Sequence, residues 1–142
     1  TLAQINFAEY LRDLATRVVR SSRVGQGRLA LEISAEEVYL PIETAIPCGL
    51  LLHELLSNCV RHGFPGGRSG TIGVTLRGIP QCSYVLTVCD DGVGLPPGFD
   101  VSTTASLGLR LVHLLAAQLR GTLTFESGEG TTVRLSFGEP VA

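Results

Sequence analysis

The sequence predicts an α+β fold, a two-layer α/β sandwich in which helices cover one face of a mixed β-sheet. Segments with the apolar spacing of helices are interspersed with short segments that alternate like strands, and each helical segment has an apolar side. The 142 residues include 44% hydrophobic and 17% charged residues, and no repeat or linker divides them. This size and composition predict a single globular domain, residues 1–142.

Three segments have the periodicity of helices. The first is the N-terminal helix, Ile5–Ser22, for which Asn6 is a suitable N-cap. The second spans residues 44–63 and contains Pro47, which we place in the first turn because a missing N–H costs nothing there. The third is Ser106–Leu119, and its spacing predicts a core-facing side formed by Leu107, Leu111, Leu114 and Leu115.

Six short segments alternate apolar and polar residues, which predicts strands. They lie near residues 29–33, 38–40, 71–76, 84–89, 122–126 and 132–137. Pro41 closes the second strand, and the glycines in residues 127–130 predict a tight turn between the last two. Residues 90–105 are polar and rich in glycine and proline, which predicts a mobile loop.

Charge and cysteine usage exclude several classes of function. The formal charge of −2 provides no basic surface, so we expect no nucleic acid partner. No apolar run is long enough to cross a membrane, so we expect no membrane contact by this domain, with any anchor of the parent protein outside this chain. The four cysteines lack C-x-x-C spacing and are interpreted as reduced residues of a cytoplasmic protein: Cys48, Cys59, Cys82 and Cys89.

The first candidate motif lies in the second predicted helix. Its polar residues can project from one side of the helix, while leucines occupy much of the rest: Glu54, Asn58, Arg61 and His62. A carboxylate, a carboxamide and two basic groups suit a phosphate and Mg²⁺ site, because Mg²⁺ prefers oxygen ligands and takes few from protein. The alternative is an amphipathic helix with a solvated polar face. Zinc catalysis is excluded, because Ser57 stands where an H-E-x-x-H motif needs its second histidine.

The second and third candidate motifs contain glycine. Asp90 ends a strand, where its carboxylate can accept a hydrogen bond from the amine of adenine, and Gly92 and Gly94 let the backbone approach a flat ligand. The alternative is an ordinary Asp-Gly turn.

The third motif lies at a helix start, where exposed N–H groups and the helix dipole favour phosphate. It comprises Ser106, Leu107, Gly108 and Leu109. Its alternative is an ordinary helix N-cap.

The order and spacing of these motifs resemble the nucleotide-binding domain shared by histidine kinases, gyrase-type topoisomerases, mismatch-repair ATPases and certain chaperones, the GHKL or Bergerat fold. The first motif resembles the asparagine box of that family, and the other two resemble its two glycine boxes. Gly130-Thr131 is similar to the Gly-Thr pair of the final hairpin. The resemblance extends from about Asn6 to Phe137 and, within the family, is to sensor histidine kinases with a short lid.

The resemblance implies ATP and Mg²⁺ as cofactors. It implies that Asp90 binds adenine, that Asn58 ligates Mg²⁺, and that Glu54 orients water or the hydration shell of the metal. Glu54 and Asn58 are therefore the catalytic candidates. The other implied cofactor-binding residues are Arg61, His62, Gly92, Gly94, Ser106, Leu107, Gly108, Leu109 and Thr131. Residues 94–106 would form a lid that the phosphates order.

The chain departs from the family pattern in three ways. Ser106 replaces a glycine, and Asp91 stands where relatives often have asparagine. The phenylalanine box of many kinases has no clear match, because Phe99 is a poor candidate for it.

The resemblance also implies an activity and partners. The expected reaction transfers the γ-phosphoryl group of ATP to a histidine on a separate helical domain of the same parent protein. That domain would precede Thr1, and the N-terminal helix, residues 1–22, would connect it to this one. The receiver domain of a response regulator would then accept the phosphoryl group, and the parent would be a homodimer. Three alternatives share these motifs: an anti-sigma-factor-type serine kinase, a nucleotide-binding interaction module without kinase activity, and an ATP-driven clamp like the topoisomerases.

Overall fold

The computed structural model describes residues 3–21, 29–79, 83–94 and 107–138. Three helices, two short helical turns and seven strands follow one another within these ranges. In chain order they are β1 (Gln4–Asn6), α1 (Phe7–Ser21), β2 (Leu29–Ala35), β3 (Tyr39–Pro41), α2 (Ile42–Asn58), a π-helical turn (Cys59–Gly63), a 3₁₀ turn (Pro65–Gly67), β4 (Gly70–Ile79), β5 (Ser83–Asp90), α3 (Leu107–Gln118), β6 (Thr122–Ser127) and β7 (Thr131–Phe137). The predicted α+β class is confirmed.

Five strands form one mixed sheet in the order β2-β4-β5-β7-β6. The β2–β4 pair is parallel and the other pairs are antiparallel. Val74, Val88 and Val133 form one row across the central strands, and all three are buried in the same core as the apolar residues of the helices. Successive side chains of a strand point to opposite faces, so these residues mark the covered face of the sheet.

The N-terminal segment begins differently from the prediction. Gln4–Asn6 is a short strand that pairs antiparallel with β3, so the helix predicted from Ile5 begins at Phe7. Hydrogen bonds to β3 hold residues 4–6 in an extended conformation, so these residues cannot also form the first turn of the helix. The Asn6 side chain nevertheless accepts a hydrogen bond from the N–H of Glu9 at 3.2 Å, which is the N-cap interaction that the sequence predicted.

Helix α2 begins at Ile42, two residues before the predicted start, because β3 leads into it directly through Pro41. Pro47 therefore lies in the second turn, and the prediction that it occupies the first turn was wrong. The missing N–H leaves the carbonyl of Glu43 without its usual partner in the helix. The regular helix ends at Asn58, and residues predicted to continue it form the wider π turn.

Helix α3 packs on the core through Val112, Leu115 and Ala116. The predicted core-facing side was partly wrong, because Leu107 is 79% exposed and Leu114 is 68% exposed. Leucines surround this helix, so apolar spacing did not distinguish the face that meets the sheet. Ser106, the predicted start of the helix, lies outside the described residues.

The cysteines that the structure describes are unpaired thiols. Cys48 is buried, and Cys59 and Cys89 are partly buried, while Cys82 lies outside the described residues. Burial raises the pKa of Cys48 to about 12. No helix in the described ranges combines the length and apolar character required to span a membrane.

Candidate nucleotide-binding site

The first motif lies where α2 widens into the π turn. Asn58 is the last residue of the regular helix, and Arg61 and His62 lie on the turn that follows. The Arg61 Nη2 atom donates a hydrogen bond to Asn58 Oδ1 at 3.2 Å, and Arg61 Nε donates to the carbonyl of Ser57 at 3.4 Å. The cation is therefore held beside the carboxamide. His62 is exposed.

The start of α3 lies against this end of α2. A Cβ atom placed on Gly108 would lie 2.9 Å from Glu54 Oε2 and 3.9 Å from Asn58 Oδ1. Glycine at this position therefore lets the first turn of α3 approach both side chains. The N–H groups at the start of a helix form the positive end of its dipole, which favours an anion beside them. The structure thus brings the first and third motifs together, with Leu107 exposed and Leu109 partly buried.

Asp90 is the last residue of β5 and points to the covered face of the sheet. It pairs in register with Ile72 on one side and with Thr131, the first residue of β7, on the other. Its Oδ1 accepts a hydrogen bond from the N–H of Gly92 at 2.9 Å. A Cβ atom placed on Gly63 would lie 3.4 Å from the same oxygen, so the carboxylate lies beside the end of the π turn. The first and second motifs therefore meet.

The chain after Asp90 is held tightly against its neighbours. The N–H of Val93 donates to the carbonyl of Gly63 at 2.9 Å, and Gly92 lies too close to the Gly63 backbone for any side chain. Gly94 has φ +76°, which favours glycine, and lies close to the backbone of Gly128 and Gly130. These contacts fix the beginning of the predicted lid. The remainder of the lid, residues 95–106 with Ser106 and Phe99, lies outside the described residues.

Asp91 and Asp90 have different surroundings although they are adjacent. Asp91 Oδ1 accepts a hydrogen bond from the N–H of Thr71 at 2.7 Å, and its N–H donates to the Thr71 carbonyl at 3.2 Å. Asp91 therefore ties the end of β5 to β4. An asparagine at this position retains the acceptor oxygen, which explains why the departure from the family pattern is compatible with the fold.

Three residues of the site were not among the sequence candidates. Gly63 and Gly130 lie against the side chain and the backbone of Asp90, respectively. Cys59 is partly buried, and burial followed by the nearby Asp90 charge raises the pKa of this thiol well above its usual range. The Arg-His-Gly sequence after Asn58 could have indicated Gly63. Nothing in the sequence pattern indicates that the Asp90 charge influences Cys59, because this depends on how the end of α2 lies relative to β5.

Comparisons with known proteins identify the family of this chain. Residues 43–141 match the family model described as histidine kinase-, DNA gyrase B- and HSP90-like ATPase. The chain is 33% identical over 112 residues to blue-light-activated histidine kinase 2 of Erythrobacter litoralis, covering 78% of this chain and 32% of that protein. It is 34% identical over 96 residues to the sensor histidine kinase PdtaS of Mycobacterium tuberculosis, covering 63% of this chain and 19% of that protein. The chain thus spans a third or less of the length of these relatives.

Solved structures show the same fold. The histidine kinase domain of the Erythrobacter litoralis EL346 blue-light-activated histidine kinase superimposes with a TM-score of 0.87 at 30% identity, covering 94% of this chain and 61% of that one. The mycobacterial sensor histidine kinase MprB gives a TM-score of 0.75 at 21% identity, covering 99% of this chain and 100% of that one. The matched family is one of ATPases, so the domain is an ATP-binding domain. This chain belongs to the histidine kinase-, DNA gyrase B- and HSP90-like ATPase family, as a catalytic domain of the kind that sensor histidine kinases contain.

Proposed function

We propose that this chain binds MgATP and transfers the γ-phosphoryl group to a histidine on a separate helical domain of its parent protein. The observation that carries the proposal is the convergence of the three motifs. The π turn after Asn58 meets Asp90 through Gly63, and Gly108 meets Glu54 and Asn58. The Asp90 carboxylate, proposed to bind adenine, therefore lies beside the C-terminal end of α2, which also carries the groups suited to phosphate.

Adenine recognition falls to Asp90. Its carboxylate offers only acceptors, which matches the exocyclic amine of adenine. The hydrogen bond from the Gly92 N–H fixes Oδ1, and Gly63, which has no side chain, lies beside the carboxylate. From there the triphosphate would extend toward the start of α3, where the first N–H groups of the helix favour negative charge. Gly94 and Thr131 would border the base, and Ser106 would belong to the lid.

The residues present suit Mg²⁺ held largely by phosphate oxygens and water. Among the described residues, no cluster of three His, Cys, Asp or Glu side chains is arranged to hold a metal ion. Mg²⁺ beside a nucleotide typically takes only one or two protein ligands, so one carboxamide oxygen is sufficient. Asn58 Oδ1 is that oxygen, and it would have to exchange or share its hydrogen bond from Arg61. When bound, the ion would neutralise charge that develops on the phosphates.

Positioning and charge stabilisation are the contributions that this chain would make to phosphoryl transfer. A neutral imidazole nitrogen of the acceptor forms the new bond to the γ-phosphorus. The bond to the bridging oxygen breaks, and ADP leaves with that electron pair. Arg61 and His62 are the cationic and imidazole groups beside the phosphates. Glu54, held against Gly108, would orient water or the metal hydration shell.

The parent protein supplies the remaining features of the proposal. The acceptor helices would belong to the same parent, which would be a homodimer in the cytoplasm, and a response regulator receiver domain would take the phosphoryl group onward. The relatives described above are named as histidine kinases, which supports this function over a serine kinase or an inactive interaction module.

Calorimetric titration of the chain with MgATP tests the proposal. Asp90→Asn replaces one acceptor oxygen by a donor amide, so we expect the affinity to fall at least tenfold, the effect of about 1.4 kcal/mol. Asn58→Ala should make binding less dependent on Mg²⁺. Asp91→Asn is the matched control, because it keeps its bond to Thr71 and should retain wild-type affinity. Wild-type affinity in the Asp90 variant would contradict the proposed site.

A further inference from the structure

The first half of helix α2 exposes a row of large apolar side chains. Ile42, Ile46 and Leu50 are 44 to 58% exposed, and their spacing of four residues places them on one side of the helix. Tyr10 of α1 and Tyr39 of β3, the strand that leads into α2, are also exposed. Single exposed apolar residues are common on proteins, whereas a contiguous row of them indicates a surface that contacts another molecule.

Helix α1 lies beside this row and runs in the same direction as α2. A Cβ atom placed on Gly49 would lie 2.8 Å from Tyr10 Cε2, so glycine lets α1 approach α2 closely at this level. Farther along both helices, a cavity of about 410 Å³ lies between them. Its lining comes from both helices: Leu14, Arg17, Val18, Ser21, His53 and Ser57.

This cavity has an apolar floor and polar rims. Leu14 and Val18 are buried, whereas Arg17 and His53 are exposed. Two helices that lie side by side present a groove into which the side-chain ridge of a third helix can fit. The exposed row on α2, the Tyr10 ring and this groove together are called the α1–α2 surface below.

The charge of the α1–α2 surface changes sign along its length. Exposed acidic residues lie in the first two turns of the two helices, and exposed arginines lie in the last two turns of α1: Glu9, Asp13 and Glu43, then Arg17 and Arg20. Pro47 has no N–H to donate to the carbonyl of Glu43, so this carbonyl is a further acceptor at the acidic end. The acidic end therefore favours a partner's basic groups, and the arginine end favours acidic ones.

We propose that the α1–α2 surface binds an amphipathic helix of a partner protein, antiparallel to α1 and α2. A helix satisfies its own backbone hydrogen bonds, so it can lie on an apolar row without leaving N–H or C=O groups unpaired. The helix dipole favours acidic residues in the first turn of a helix and basic residues in the last. The last turn of the partner helix would meet Glu43 and its first turn would meet Arg17, which sets the antiparallel direction.

The α1–α2 surface is separate from the nucleotide site, so this inference does not depend on the proposed function. Ile46 and Asn58 lie on the same helix, about 18 Å apart along its axis. Glu54 lies against Gly108 of α3. Substitutions in the exposed row should therefore leave nucleotide binding intact.

Two synthetic helical peptides of the same composition test the proposal. Each has about 18 residues, or five turns, with leucines in the spacing of an amphipathic helix and a lactam bridge on its polar side that holds it helical. The first has glutamates in its first turn and lysines in its last, and the second has these ends exchanged. Fluorescence anisotropy of each labelled peptide, titrated with the full chain, should show that the second binds about fivefold more weakly.

Variants of exposed residues locate the bound peptide. Ile46→Ser combined with Leu50→Ser should weaken binding of the first peptide by about tenfold or more, because less apolar area is buried. Ile79→Ser is the matched control, because Ile79 is 42% exposed but lies at the end of β4, and it should leave binding unchanged. Glu43→Lys combined with Arg17→Glu should reverse the preference between the peptides. All of these variants should bind MgATP as the wild type does.

Several results would overturn the proposal. Neither peptide binding, equal binding of both peptides, or binding that survives Ile46→Ser with Leu50→Ser would each do so. Sedimentation of the chain alone, at up to about 1 mM, the effective concentration that a short tether gives, tests for a second copy on this surface. Self-association that the same double variant abolishes would assign the surface to a second copy. Binding to phosphatidylcholine–phosphatidylglycerol vesicles, abolished in the same way, would assign it to a membrane.

Discussion

Adjacent residues of this chain have separate tasks because regular structure turns neighbouring side chains away from each other. Along β5, Asp90 points to the covered face and Cys89 to the open one. At the end of α2, Asn58 lies near Gly108, while the next residue, Cys59, is partly buried and has its pKa raised by burial and then by the Asp90 charge. Motif spacing made Asp90 and Asn58 candidates, but it gave no signal for Cys59, whose surroundings come from other elements.

Gly108→Ala tests the close approach of α3 to Glu54 by adding a single Cβ atom. The new Cβ atom would lie 2.9 Å from Glu54 Oε2, the flexible end of a side chain that can move. The fold should therefore tolerate the change, with the free energy of unfolding altered by less than about 1 kcal/mol. Displacement of Glu54 should still reduce phosphoryl transfer to the acceptor domain, measured with radiolabelled ATP beside the thermal unfolding curve.

A double-mutant cycle distinguishes this mechanism from a general disturbance of α3. If Gly108→Ala acts by displacing Glu54, it should add little to the defect of Glu54→Ala. Full additivity of the two defects would show that the new methyl group acts elsewhere.

The elements differ in how well their sequences describe them. Strands β5 and β7 were predicted to within one residue, because one face is buried and the other is not, and their residues alternate accordingly. Helix α3 was predicted in extent but not in orientation, because leucines lie on several of its sides. The proximity of β5 to the π turn was implied only by the family resemblance, since no local pattern links two elements that lie about 30 residues apart in sequence.

Neighbouring leucines of α3 provide a test of this orientation. Leu115 is 6% exposed and Leu114 is 68% exposed. Leu115→Ala removes packed side-chain atoms and should lower the free energy of unfolding by about 2 to 5 kcal/mol. Leu114→Ala should change it by less than about 0.5 kcal/mol. Urea unfolding measures both, and the reverse order would mean that the opposite side of α3 faces the sheet.

The whole molecule is needed to form the nucleotide site. Its groups come from the end of α2, the end of β5, the start of α3 and the start of β7, which lie far apart in sequence. The unfolded chain therefore has no arrangement that resembles the site. A ligand of this site should bind the folded state alone, so binding and folding are linked.

MgATP should consequently stabilise the chain against unfolding. At a concentration of about 100 times its Kd, the ligand should add about 2.7 kcal/mol to the free energy of unfolding. The Asp90→Asn variant, measured at the same MgATP concentration, should gain much less. Urea unfolding with and without MgATP checks both values, and equal stabilisation of the two proteins would place the nucleotide away from Asp90.

The pairing of Asp90 with Thr131 has a consequence for how this domain can vary. This register closes a loop of chain, residues 91–130, that contains the predicted lid as well as α3 and β6. The entropy lost on closing a flexible loop grows only with the logarithm of its length, so doubling it costs about 0.6 kcal/mol. Residues added between Gly94 and Leu107 should therefore change the free energy of folding little. The length of the predicted lid can vary while the sheet keeps its register.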